Sequence, residues 1–393
     1  MNYDLSTPIS RLGTCSNKWD SAPSRFGTPN IKYPFTVADM DFPCPPCVID
    51  GLKARLEHPI FGYSTADDSF YGAVCGWFQR RHGLTLKKEW LHPTVGIVTS
   101  LAMAIRALTQ RGDKVMVFTP VYDPFFGIIT AAERELVECE LVCDEGKYRL
   151  DYERIEQELK NGVKAILFCN PHNPVGHVWA KEELGRLVSL CKTYGAYIFS
   201  DEAHCDYALF GNQYTSAVAF EEYADHVVAC VAANKTFNMP GISTAILMVP
   251  DSENKKKIID ALNGVWLKTP TILGIVAATS GYNGADQWQD DVKAYLEENS
   301  RYIRSYIAEK MPLIGCAEHQ GTYLMWLECS CFGISMKELS FLVADSYGVA
   351  LPSGTGYRGD GQTHLRINIG CARSILKEGL DGLYACYRDH VQA

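Results

Sequence analysis

The sequence lacks a basic surplus. Its 37 Lys and Arg stand against 46 Asp and Glu, a formal net charge of −9. No basic stripe offsets that balance, which argues against a nucleic-acid partner. It also lacks any run of about 18 apolar residues, so no membrane-spanning helix is expected. The opening residues, MNYDLSTPISRLGT, offer neither a basic start nor an apolar stretch, so no secretory leader is expected. There is no internal repeat and no linker rich in Pro, Gly or Ser. Gly (32) and Pro (18) are near average usage, which sets aside collagen-like and low-complexity chains.

What is present suits a large folded core. The 393 residues allow two to three domains at about 150 residues each. Hydrophobic residues make up 47% and charged residues 21%, and 7 Trp, 21 Tyr and 16 Phe argue against disorder. The 15 cysteines are scattered and odd in number, in a chain too long for a disulfide scaffold. They are expected to be reduced thiols, acting as small hydrophobes in a cytoplasmic protein. Cys44-Pro-Pro-Cys47 has redox spacing but no βαβ setting, and one pair cannot complete a four-ligand zinc site. Cys329 and Cys331 are too close for the usual ligand pair. No metal site is expected.

Short apolar runs alternate with amphipathic segments. Lys114 to Phe118, Ala165 to Cys169, Tyr197 to Ser200, Val227 to Val231 and Ala245 to Val249 read as strands covered on both faces. Leu184, Leu187, Val188, Cys191 and Tyr194 share one helical face, as do Phe70, Val74, Trp77 and Phe78. Thr65 and Asp68 have capping-box spacing. The alternation predicts an α/β domain with a mostly parallel sheet. Near residue 285 the texture changes. One long helix is predicted from Asp286 to Met311, then strands at Thr322 to Leu327 and Leu365 to Ile369, with a helix from Met336 to Tyr347 between them. This reads as a smaller α+β domain.

Three motifs follow predicted strands, at the sheet edge where α/β proteins bind ligands. Asn170 to Gly176 (NPHNPVG) forces a tight turn that presents Asn173. Ser200 to His204 (SDEAH) puts Asp201 where a buried strand ends, in need of a cationic or donor partner. Asn234-Lys235-Thr236 puts a lysine just beyond an apolar strand, a setting for an amine nucleophile. Taken alone, each has an ordinary reading: a plain turn, a cap or structural ion pair, a solvated lysine. Together, a lysine and an aspartate so placed suit pyridoxal 5'-phosphate (PLP), which proteins hold by a lysine Schiff base and an acid at the pyridine nitrogen.

In this order the motifs resemble the PLP-dependent enzymes of the class I/II aminotransferase fold. VADMDFP (Val37 to Pro43), HPIFGY (His58 to Tyr63) and LRINIGCAR (Leu365 to Arg373) are similar to the cystathionine β-lyase branch, the C–S lyases of MalY and PatB type. The resemblance runs from about residue 15 to the C-terminus. It implies an aspartate-aminotransferase-like fold (fold type I). Its large domain, 46–285, would hold a mostly parallel seven-stranded sheet, and residues 1–45 with 286–393 would form the small domain.

The resemblance also implies site roles. Lys235 would be the Schiff-base lysine and the base for the substrate Cα proton. Asp201 would pair with the pyridine nitrogen, and Asn173 and His204 would serve the ring's phenolate oxygen. Gly96, Ile97 and Val98, ahead of a helix from Thr99 to Gln110, would bind the phosphate, and Tyr122 would stack on the ring. Tyr63 would reach the phosphate of a neighbouring subunit, which implies a homodimer with shared active sites. Arg366 would grip the substrate carboxylate beside Ala38. Arg373 reads as structural, and Arg358 as lining the entrance. The implied reaction is α,β-elimination on cystathionine, cysteine or a related thioether, giving a thiol or sulfide, pyruvate and ammonia. The alternatives are an aminotransferase on the same scaffold, or a regulatory or binding protein that retains PLP. Three departures stand out. Asn234 replaces a Ser that many relatives use on the phosphate. Pro240, in Met239-Pro240-Gly241, is expected to stiffen a loop away from the chemistry. His364 is expected at the entrance.

Overall fold

The computed structural model describes residues 3–267 and 269–392. Each apolar run becomes a strand. One mixed sheet contains β1 (Leu91–Thr94), β2 (Lys114–Thr119), β3 (Glu135–Glu140), β4 (Val163–Cys169), β5 (Tyr197–Asp201), β6 (Val227–Val231) and β7 (Ala245–Met248), in the order β1-β7-β6-β5-β4-β2-β3. From β6 to β3 every pairing is parallel, while β7 runs antiparallel to both its neighbours. Side chains alternate between two cores, as a strand covered on both faces requires. Val115 and Val117 face one core, and Met116 and Phe118 the other. Ala165 and Leu167 are likewise opposed to Ile166 and Phe168.

Helix α1 (Asp68–His82) buries Phe70, Val74, Trp77 and Phe78, the face its periodicity marks. Its cap differs from the expected box. Asp67, not Thr65, accepts from the backbone N–H groups of Ser69 (3.1 Å) and Phe70 (3.2 Å). Helix α2 (Ile97–Leu108) starts two residues before the expected Thr99, with Gly96 as its N-cap. Helix α3 (Lys181–Thr193) covers the sheet through Leu184, Leu187, Val188 and Cys191. The long helix α4 (Asp286–Lys310) buries Trp288, Val292, Tyr295, Leu296 and Ile303.

A second sheet joins β8 (Gly315–Cys316), β9 (Leu324–Glu328) and β10 (His364–Asn368), all antiparallel. The N-terminal residues pack beside it. Tyr33–Pro34 pairs in parallel with Val349–Ala350, and the Phe35 N–H donates to the Ala350 carbonyl (3.0 Å). Asn368 Nδ2 donates to the carbonyls of Val37 (2.6 Å) and Asp39 (2.7 Å). An ionic clamp holds this segment. Fully buried Lys18 meets Asp41 at 2.8 Å, and Arg11 reaches Asp39 and Asp41 at 2.8 Å each.

The fold brings the carboxyl ends of β4, β5 and β6 side by side, so the three motifs that follow them share one edge. Segment 37–41 is carried over that edge.

Candidate active site

A cavity of about 230 Å³ opens at that edge. Lys235 lies in a one-turn helix, Ala233–Thr236, just beyond β6. Its amine faces the cavity and donates to the carbonyl of Ala38, which also accepts from Tyr323 OH at 2.9 Å. Protein surrounds the amine, and burial holds its pKa below the ordinary lysine value. Asp39 and Asp201 oppose that shift, and Arg366 adds to it. A lysine in this state gives up its proton more readily than a solvated one, as a nucleophile or base needs.

Asp201 ends β5 inside the same cavity. Burial pushes its carboxyl up to about 6. Its one hydrogen bond comes from the Ala203 N–H at 3.0 Å. A buried carboxylate with so little support is costly unless a cation or donor meets it. His204 is also buried there. Burial, with Lys235 and Arg366 nearby, pulls it down to about 3, so the ring is neutral, and its Nδ1 has no partner.

Asn173 comes from the turn after β4. Gly176 closes that turn at φ 74°, where an added Cβ would meet His319 at 2.9 Å, so the position requires glycine. The Asn173 side-chain oxygen accepts from Arg366 Nη1 at 3.3 Å. Tyr122, after β2, also lines the cavity, and burial pushes its hydroxyl up to about 12. Gly96, Ile97 and Val98 also line the cavity, and no side chain caps α2 there. Its first backbone N–H groups therefore point into the cavity without intrahelical acceptors, a ready anion site.

Two expected residues stand apart. Arg366 does not line the cavity. It sits on β10, buried, one step behind Asn173, with Nη2 on the Thr36 carbonyl (2.6 Å), Nε unpartnered, and its guanidinium over the Tyr357 ring at 5.2 Å. Tyr63 lies in an irregular segment, fully exposed, beside exposed Ile60 and Phe61.

Three secondary expectations change. Pro240 lines the cavity rather than lying away from it. His364 is not at an entrance. It is buried and stacked on Trp326 (4.9 Å, 8° between planes). Arg358 is turned to Glu138 and Phe126. Arg373 is structural as expected, donating through Nε to Asn299 at 2.7 Å. Thr99, Cys169 and Ala203 also line the cavity and were not foreseen. Thr99 and Ala203 adjoin foreseen residues, and Cys169 ends the strand that leads into the turn of Asn173, so adjacency was the available signal. Asn234 is there too, its buried Oδ1 without a partner. All fifteen cysteines are free, and burial raises the pKa values of Cys44 and Cys47, so neither is an activated thiolate.

The donor set fits PLP. A poised lysine, an under-supported buried carboxylate and an uncapped helix start share one cavity. The partnerless His204 Nδ1 and Asn234 Oδ1 lie at it, and the partnerless Arg366 Nε behind it.

Comparison with known proteins agrees. The family described as aminotransferase class I and II matches residues 30–383. The chain is 35% identical over 382 residues to the cystathionine β-lyase PatB of Bacillus subtilis, covering 97% of this chain and 98% of that one. It is 31% identical over 392 residues to the protein MalY of Escherichia coli, covering 98% and 99%. Among solved structures, cystalysin from Treponema denticola, which contains a pyridoxal 5'-phosphate cofactor, superposes with a TM-score of 0.94. The identity is 30%, over 99% of this chain and 100% of that one.

Proposed function

This chain belongs to the class I and II aminotransferase family, and from that we propose that it is a PLP-dependent carbon–sulfur β-lyase. The observation that carries the reading is the shared cavity of Lys235, Asp201 and the α2 N-terminus. The curated relatives named cystathionine β-lyase favour elimination over transamination.

When bound, PLP supplies an electron sink for a carbanion at the substrate Cα. The chain supplies the rest. Lys235 Nζ would hold the cofactor, and its free amine would serve as the base for the substrate Cα proton. Its depressed pKa leaves it unprotonated more often than an ordinary lysine. Asp201 would face the protonated ring nitrogen, a cationic partner of the kind that favours an ionised carboxylate. Asn173 and neutral His204 serve the ring oxygen. The N–H groups that open α2 take the phosphate. Arg366, steadied by Thr36, Asn173 and Tyr357, orients the substrate carboxylate.

The Cβ–S bond of cystathionine or a cysteine thioether then breaks. With one water taken up, the products would be a thiol, pyruvate and ammonia. Exposed Tyr63, with Ile60 and Phe61, supports a homodimer in which Tyr63 completes the site of a second copy. Fifteen free thiols support a cytoplasmic setting, and no helix among the described residues is long and apolar enough to cross a membrane. Incubation with cystathionine and no keto acid tests the reading. Pyruvate with a new free thiol is expected, and their absence would favour transamination.

A further inference from the structure

A second set of polar side chains lies under the turn that carries Lys235. Asp206 is buried in the short turn Cys205–Tyr207. Its Oδ1 accepts from Trp77 Nε1 (2.9 Å) and pairs with His82 Nε2 (2.8 Å), both on α1. Its Oδ2 accepts from Thr236 Oγ1 at 2.6 Å, and Thr236 directly follows Lys235. The Asp206 carbonyl accepts from Gln289 Nε2 of α4 (2.8 Å), and Tyr207 OH donates to the Thr236 carbonyl (2.7 Å). Side chain and carbonyl of Thr236 are thus gripped from one short turn, which is itself tied to two helices.

The ligand atoms of His82, Cys205 and Asp206 lie within 4.8 Å of one another, a spacing that suits a metal ion. The hydrogen bonds argue otherwise. Both Asp206 oxygens are engaged, and the guanidinium of Arg81 lines the same polar cavity. The cluster reads as a hub rather than a metal site.

We propose that Asp206 is a positioning residue for Lys235: acting through Thr236, it fixes the turn from which the lysine reaches the cavity. The inference rests on the reading of Lys235 as the reaction's base. A proton-transferring group misplaced by 1 Å can cost about a hundredfold in rate. Lys235 has four flexible side-chain bonds, so its aim depends on a rigid backbone origin. Burial opposes ionisation of Asp206, but His82, Thr236 and Trp77 outweigh it and hold its carboxyl below the ordinary range. It is therefore a carboxylate, with acceptors on both oxygens. An asparagine offers one.

The test compares Thr236→Val, Thr236→Ser and Asp206→Asn. In the loaded enzyme, T236V and D206N are expected to lower kcat by about tenfold to hundredfold with KM within about twofold, and T236S to stay near wild type. In unloaded protein, the pH at which an amine reagent half-labels Lys235, read by mass spectrometry, is expected to rise in T236V and D206N as the amine becomes better solvated. T236V is nearly isosteric, so it decides the matter even where D206N fails to fold. Equal kcat and equal labelling profiles in T236V and T236S would overturn the proposal. Retention of pyruvate release by Lys235→Ala would instead overturn the assignment of the base, which separates the two failures.

Discussion

Asp201→Asn should stabilise the unloaded protein at neutral pH while disabling the loaded enzyme. Asp201 is buried at the end of β5 with a single hydrogen bond, from the Ala203 N–H. Its folded-state pKa is about 6 against the ordinary 3.8. That displacement is worth about 3 kcal/mol at 1.36 kcal/mol per pH unit. The sign follows from which state holds the proton. Below pH 3.8 the carboxyl is neutral folded and unfolded, so there is no penalty. Between 3.8 and 6 only the unfolded chain ionises, and stability falls as pH rises. Above 6 the full cost is present. Asparagine never ionises and can still accept from Ala203. Urea unfolding of unloaded protein should therefore show D201N more stable than wild type by up to about 3 kcal/mol at pH 7.5, with the gap closing toward pH 4. Lyase activity and cofactor retention on dialysis should both fall, because the amide cannot supply the charge the ring nitrogen needs. A gap equal at both pH values, or no gap at pH 7.5, would refute the argument that burial of this charge is uncompensated.

Three further outcomes are expected. Arg366→Leu should raise KM for cystathionine by about tenfold to hundredfold, since it removes a buried charge partner for the carboxylate, and kcat should change less. Pyruvate-release kinetics will show the split. Asp41→Asn should cost about 3 kcal/mol of stability in urea, because it takes the carboxylate from a fully buried lysine, Lys18. Mixing Lys235→Ala with Tyr63→Ala protein, after mild dissociation, should restore activity that neither has alone. A mixture as inactive as its parts would contradict a site shared between two copies.

Much of the large sheet was legible because its central strands are buried on both faces. Runs such as Ala165 to Cys169 need no alternation to be recognised. The sheet's two ends were missed for the opposite reason. β3 at one edge exposes Glu135, Glu138 and Glu140, and β1 at the other contains Pro93. The reversed direction of β7 was invisible too, since its sequence resembles that of its parallel neighbours. In the site, Lys235, Asp201 and Asn173 were legible because each follows a readable strand. What could not be read was long-range. The Ala38 carbonyl under Lys235 and Tyr323 beside it join residues far apart in the chain, by contacts with no local pattern.

Segment 33–41 has a consequence for synthesis on the ribosome. Its partners, Val349–Ala350, Arg366 and Asn368, are translated more than 300 residues after it. The whole seven-stranded sheet is made before they emerge, and the segment against which Lys235 rests is fixed only after they do. A nascent or prematurely ended chain can thus form the sheet and carry the lysine, yet lack a closed site around it.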